Sequence, residues 1–240
     1  MKAIILAAGM GNRMRPLTLD NHKSMLEIAG KPIIRHQVDV LKSCNVRDIN
    51  IVTGYREDDI KNCLLGEAQY SFNPFYENTN SVVSLWLAQD LLNDDVLIIN
   101  SDVFFDDTLI DSIINNNSDI SVAVSKEWFM DKKGYKVQLE GSKVVNMSMN
   151  IEPSKIGGEY AGMIKVSKKT VTALKDKLVR LMKEKQFNIW FEDVVVALIK
   201  EGAIANYISV NPDLWCEIDT VEELKLARIK FSKGGNVNVI

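Results

Sequence analysis

Leu6-Ala7-Ala8-Gly9-Met10-Gly11-Asn12-Arg13-Met14-Arg15-Pro16-Leu17-Thr18 overlaps the end of a short apolar run, Lys2 to Ala8, of β-forming character. The run reads as a buried strand that stops at glycine and opens into a loop. Glycines at positions 9 and 11 let the backbone turn sharply and approach a ligand closely. Their exposed N–H groups can form an anion-binding nest. Arg13, Arg15 and Lys23 set three cations beside that loop, which suits a triphosphate. Taken alone, the same spacing reads equally as a strand-to-loop turn with surface arginines. It is not a Walker loop, because GxxxxGK[ST] is absent. Nor is it a complete GxGxxG, because Met14 stands where the third glycine belongs.

Beyond the loop, strand and helix patterns alternate. Helices are expected over Pro32–Cys44, Glu57–Leu65, Ser81–Leu92 and Asp107–Asn115, with strands over Asp48–Tyr55, Gln69–Asn73, Asp95–Asp102 and Ile120–Lys126. Val96-Leu97-Ile98-Ile99 is apolar on both faces, as a central parallel strand covered on both sides would be. Tyr135–Leu139 and Lys143–Met149 flank Glu140-Gly141-Ser142 and read as a hairpin. A strand (Glu159–Ser167), two helices (Lys168–Lys185 and Trp190–Lys200), a strand (Ile204–Val210) and a helix (Thr220–Lys230) complete the chain. The expectation is one doubly wound, mostly parallel α/β domain over residues 1–231. It carries a β-rich insertion at about 128–165, and the Gly- and Asn-rich tail 232–240 is expected to be flexible.

The bulk numbers exclude several classes. The chain has 240 residues and a net charge of −3, so no global positive field attracts nucleic acid. Three cysteines without a CxxC argue against a disulfide framework or a zinc site and for a cytoplasmic protein. No apolar run approaches the roughly 20 residues that span a membrane. The N-terminus reads as a first strand, not a signal peptide.

The string from Leu6 to Thr18, followed by Lys23 and by Gly30-Lys31-Pro32, resembles the signature of the nucleotidyltransferases that activate sugar phosphates and phosphoalcohols. The resemblance extends through the strand ending at Asp102 and reaches Asp219. It implies a Rossmann-like, GT-A-like fold and transfer of a nucleotidyl group to a phosphorylated acceptor. It further implies that Leu6, Ala7, Ala8, Gly9 and Gly11 hold the triphosphate and base, and that Arg13 and Lys23 neutralise the departing pyrophosphate. Asp102 and Asp219 would hold a Mg²⁺ that bridges the α-phosphate and the acceptor phosphate. From the residues themselves, Asp102 is a ligand candidate because it ends a central strand. Asp219 reads equally as a helix N-cap, and Asp106 and Asp107 read as a solvated helix start. The family pattern has proline just before the lysine. This chain has His22 there, so a less rigid turn is expected.

Tyr76 to Leu85 resembles the base-side segment of the phosphocholine cytidylyltransferase branch. That implies CTP as the nucleotide, with Asn80 and Ser84 at its pocket; helix capping by Asn80 or Ser81 is the alternative. Glu127-Trp128-Phe129 and Trp190-Phe191-Glu192-Asp193 resemble the acceptor side of the same branch. That implies that Trp128, Trp190, Glu192, Asp193 and Glu217 surround a cationic headgroup such as that of phosphocholine. Ordinary packing is the alternative for each tryptophan. Lys143-Val144-Val145-Asn146 and Gly158 to Gly162 also look like relatives that cytidylylate 2-aminoethylphosphonate, whose primary ammonium would suit Glu192 and Asp193. The competing classes are a sugar-1-phosphate nucleotidyltransferase and a nucleotide-binding regulatory module. A Rossmann dehydrogenase is disfavoured by the broken glycine fingerprint. The resemblance is compatible with a small homodimer.

Overall fold

Along β1 (Lys2–Ala7) the side chains alternate between two cores. Ile4 joins one apolar cluster, while Ala3, Ile5 and Ala7 join another on the opposite face. The computed structural model describes residues 1–127 and 134–232. After β1, a loop with two short 3-10 turns, Asn12–Met14 and Lys23–Met25, leads to a small antiparallel pair. The pair is β2 (Glu27–Ile28) and β3 (Lys31–Pro32), and it feeds α1 (Ile33–Ser43). Next come β4 (Asp48–Thr53), α2 (Glu57–Leu64), β5 (Gln69–Phe72), α3 (Ser81–Leu87) and β6 (Val96–Asn100). They are followed by β7 (Val103–Phe105), α4 (Asp107–Ile114), β8 (Ile120–Ser125), β9 (Lys136–Glu140) and β10 (Lys143–Ser148). The chain continues with β11 (Gly158–Val166), α5 (Lys168–Lys183), α6 (Phe191–Lys200), β12 (Ala205–Ser209), β13 (Trp215–Glu217) and α7 (Val221–Ser232).

Among the described residues nine strands form one sheet in the order β5-β4-β1-β6-β11-β8-β12-β10-β9. The stretch β5-β4-β1-β6 is parallel, as is the pair β8–β12. Strand β11 runs antiparallel between β6 and β8, and β10 runs antiparallel to β12 and β9. The sheet is therefore of the expected Rossmann-like α/β class but mixed in direction. A strand buried on both faces shows the same unbroken apolar run whichever way it points, so direction was not legible. The segment read as a β-rich insertion adds β9 and β10 to one edge of this same sheet. Val96, Leu97, Ile98 and Ile99 are fully buried. At roughly 1.5–3 kcal/mol per large apolar side chain, β6 is a principal anchor of both cores.

Two features outside the main sheet place the site. Strands β7 and β13 pair antiparallel, with Glu217 opposite Val103. Just beyond that pair, the Ile218 amide donates to the Asp102 carbonyl at 3.0 Å. Asp219 is thus tied beside Asp102 by backbone, across more than a hundred residues of chain. A third apolar cluster, including Met14, Ile28, Ile33, Phe104, Ile218 and Leu224, packs the loop after β1 against α7.

Gly162 interrupts β11 with φ +76°, where the pairing to β8 shifts register. A Cβ there would stand 2.4 Å from Val103 Cγ1. Gly162→Ala combines a left-handed backbone with an overpacked contact, and it should lower the unfolding free energy by about 2 kcal/mol or more. Urea denaturation of the two chains side by side measures this.

Candidate functional site

The carboxyl ends of β1 and β6 open into a cleft of about 410 Å³. That is where ligands gather in open α/β sheets. Leu6, Ala8, Gly9, Gly11, Arg13 and Lys23 line it from the loop side, with Asn80, Ser84, Asp102, Trp190, Glu192 and Asp219 around the rest. Most of the residues expected from sequence thus converge. Ala7 does not line the cleft. It is fully buried and packs into the core beneath the loop, because alternation along β1 turns it inward.

Gly11 adopts φ 61° and ψ 36°, the left-handed conformation glycine tolerates. Its carbonyl accepts from Thr18 Oγ1 at 2.9 Å, and Tyr55 Oη donates to the Thr18 and Leu19 carbonyls. The loop is therefore pinned from two sides. A Cβ on Gly9 would meet nothing within 4 Å, so that glycine leaves open space toward the cleft.

Lys23 is the centre of the constellation. Its ammonium donates to Asp102 Oδ2 at 2.7 Å and to Asp219 Oδ1 at 2.8 Å. Arg13 Nη1 lies 2.8 Å from Asp219 Oδ2. Burial alone would lower the Lys23 ammonium, and the two carboxylates more than reverse that, so it is held above its ordinary value. The N-cap alternative for Asp219 is taken by its neighbour. Thr220 Oγ1 accepts from the Glu223 amide, and Glu223 Oε2 accepts from the amides of Asp219 and Thr220. That reciprocal capping leaves the Asp219 carboxylate for the cations. Asp106 does cap α4, accepting from the Leu109 amide at 3.3 Å.

His22, at φ −73° and ψ 143°, caps the Lys23 turn: Nδ1 accepts from the Ser24 amide at 3.1 Å. The imidazole supplies a bond where a proline would supply a fixed dihedral, so the looser turn expected from sequence gives way to a capped one. Burial pushes the ring down to about 4. The Ala7 and Gly9 carbonyls and Asp59 oppose this, and Lys23 reinforces it.

The base-side residues are not simple caps. Asn80 makes no side-chain cap bond to α3; its Nδ2 donates to the Asn188 carbonyl at 2.8 Å. Ser84 Oγ accepts from Asn73 Nδ2 at 3.0 Å, and Ser81 Oγ accepts from the Phe191 amide at 2.9 Å. The Asn80 and Ser81 bonds lash the start of α3 to the start of α6, which sets Trp190 and Glu192 at the cleft, while Ser84 is tied to the segment after β5.

On the acceptor side the expected residues divide. Trp190 is 41% exposed, and Glu192 is buried with no hydrogen-bond partner for Oε2 among the described residues. Burial lifts the Glu192 carboxyl to about 8, and the charges of Asp193 and Glu217 add to that. Asp193 does not line the cleft. Its carboxylate accepts from the Trp190 amide at 3.3 Å and from Tyr135 Oη at 2.9 Å, which makes it a helix-capping group. Glu217 lines an adjoining cavity of about 260 Å³ with Glu127 and Glu159. Trp128 lies outside the described residues. Sequence reasoning missed Tyr160 of β11, buried with no hydrogen-bond partner for its hydroxyl among the described residues and within electrostatic reach of Glu192, Glu217 and Asp102. A tyrosine inside an apolar strand carried no signal of that.

A family model described as nucleotidyl transferase matches residues 2–146. The chain is 30% identical to the CTP:phosphoglutamine cytidylyltransferase of Campylobacter jejuni, over 94% of this chain and 98% of that protein. It is 32% identical to the choline-phosphate cytidylyltransferase of Streptococcus pneumoniae, over 58% of this chain and 62% of that one. Its fold superposes on a solved CTP:phosphocholine cytidylyltransferase from Streptococcus pneumoniae with a TM-score of 0.81 at 22% identity, covering 95% and 97% of the two chains. Among the described residues no helix is long and apolar enough to cross a membrane.

Stability should depend on pH through His22. Its folded value lies below the ordinary 6.5, so the contribution of the neutral ring is whole above pH 6.5 and is lost as pH falls toward about 4. The loss should reach about 3 kcal/mol, read from urea midpoints across that window, and His22→Asn should flatten the slope.

Proposed function

Because the chain belongs to the nucleotidyl transferase family, we propose that it transfers the cytidylyl group of CTP to a phosphate or phosphonate oxygen of a small amine-bearing acceptor, with release of pyrophosphate. The observation that carries the chemistry is the meeting of Asp102 and Asp219 on one cation, Lys23, at the foot of the glycine loop. Phosphocholine is the first acceptor, its quaternary ammonium suited to the face of Trp190. A primary amine, as in 2-aminoethylphosphonate or phosphoglutamine, is the second. It is favoured by Glu192 Oε2, a buried acceptor without a donor.

The attacking oxygen is already anionic at neutral pH and needs no general base. The barrier lies in bringing two anions together and in holding charge on the leaving group, which positioning and electrostatics can supply. Arg13 and Lys23 bind the triphosphate oxygens and hold the departing pyrophosphate, and the amides between Gly9 and Gly11 orient it. The acceptor oxygen attacks the α-phosphorus in line, and the bond to the pyrophosphate oxygen breaks on the opposite side.

Asp102 and Asp219 are the residues that would hold Mg²⁺. The donor set fits: both carboxylates already share a cation, and Asp102 Oδ1 is buried with no hydrogen-bond partner among the described residues. No group of three or more His, Cys, Asp or Glu among the described residues forms a complete metal cage. That suits an ion that typically takes one or two carboxylates and completes its shell with water and phosphate. When bound, Mg²⁺ supplies neutralisation of phosphate charge.

A pyrophosphate-release screen tests the reading. It crosses the common nucleoside triphosphates with phosphocholine, 2-aminoethylphosphonate, phosphoethanolamine, phosphoglutamine and glucose-1-phosphate. Turnover confined to CTP with an amine-bearing acceptor is expected; turnover with the sugar phosphate alone would sink it. Asp102→Asn should lower kcat by roughly 10²- to 10³-fold while the chain still melts cooperatively. Glu192→Gln should raise the acceptor KM on the order of tenfold and leave the CTP KM nearly unchanged.

A further inference from the structure

His22 is a buried side chain of the cleft to which nucleotidyl transfer assigns no chemistry. It is 1% exposed. Nδ1 accepts the Ser24 amide and stands 2.8 Å from Ser24 Oγ, so the proton of the neutral ring sits on Nε2. Nε2 is buried with no hydrogen-bond partner among the described residues, and the Ala7 and Gly9 backbone at the loop end of β1 is near enough to act on the ring. Asp59 of α2 and Lys23 are the charges that reach the ring, and the Tyr55 ring lies 6.5 Å away. The Lys23 turn and the glycine loop are in close contact, since a Cβ on Gly11 would stand 3.0 Å from Lys23 Cβ.

We propose that His22 is a positioning residue: its ring clamps the Lys23 turn by capping it where it packs on the glycine loop, and so sets where the Lys23 ammonium stands between Asp102 and Asp219. This rests on the part given to Lys23 in nucleotidyl transfer. Two devices could hold such a turn, a side chain that bonds the backbone or a ring that fixes φ. His22 uses the first, and its φ of −73° also lies in the range proline imposes. Its own N–H donates to no described residue, so nothing is lost by a residue without one. Asn, which can accept the Ser24 amide, and Pro, which can fix the dihedral, should therefore each replace it, whereas Ala should not.

The test compares His22→Ala, His22→Asn and His22→Pro with the unaltered chain in pyrophosphate release, alongside melting curves. His22→Ala should lose on the order of 10- to 100-fold in kcat with little change in acceptor KM, and the other two should recover most of it. A His22→Ala chain with unaltered kcat overturns the proposal. So do Asn and Pro variants that melt like the unaltered chain yet turn over as slowly as Ala. Where the Ala variant does not fold, Asn and Pro decide in the same way. An unaltered chain that turned over no pair would sink the cytidylyl reading and not this one. The imidazole ¹⁵N spectrum would then decide: a bare Nδ1 and protonated Nε2 persisting down to about pH 5.5 support the clamp, and a ring titrating at its ordinary value overturns it.

Discussion

One ammonium shared by two carboxylates organises this molecule. Lys23, Asp102 and Asp219 come from three distant parts of the chain and meet in a largely water-free place. Withdrawing such charges from water costs several kcal/mol per ion, and only close geometry returns it. The fold supplies that geometry with backbone. Strand β6 delivers Asp102, the β7–β13 pair and the Ile218 amide deliver Asp219, and the capped turn delivers Lys23. Removing any one partner leaves an uncompensated charge, so the arrangement is fragile as structure and well suited to binding a highly charged ligand.

The same backbone devices explain what was legible beforehand. The glycine loop and β1 announce themselves, because a buried strand that breaks at glycine has a local signature, and β6 does so by its unbroken apolar run Val96 to Ile99. Asp102 follows from β6 by its place at a strand end. Asp219 does not follow from anything local: the string Glu217-Ile218-Asp219-Thr220 is an ordinary helix start, and indeed Thr220 caps α7. What places Asp219 beside Asp102 is a three-residue strand, β13, too short for any periodicity to reveal. The antiparallel course of β11 was hidden for a related reason. Side chains on both of its faces are buried, so the pattern holds no information on direction. The capping bonds of Asp193 were equally hidden, since an acid in the first turn of a helix fits a cap and a ligand site alike.

The acceptor side shows how burial separates residues that look alike in sequence. Glu192 and Asp193 are adjacent acids on the first turn of α6. Helical geometry sends one into the cleft wall and the other back toward the chain before the helix. Asp193 spends its oxygens on Trp190 and Tyr135, which holds Trp190 at the rim. Glu192 keeps an oxygen in reserve. Identity of residue type therefore settles little here; the bonds each one makes settle which is scaffold and which is available.

That reserve bears on how two anions enter a site already rich in acid. With Asp102, Asp219 and Glu217 close by, a further fixed negative charge would repel an incoming phosphate. A Glu192 carboxyl lifted to about 8 by burial is mostly protonated at neutral pH and adds little to that repulsion. An ammonium arriving beside it reverses the balance, because an opposite charge at close range favours the carboxylate. The pocket then gains its counter-charge only when the cation is present. On the proposed amine-acceptor reading, a sugar phosphate brings its anion without a cation and leaves Glu192 Oε2 with no new partner. On that reading discrimination needs no steric exclusion, only one buried acid whose ionisation responds to its ligand.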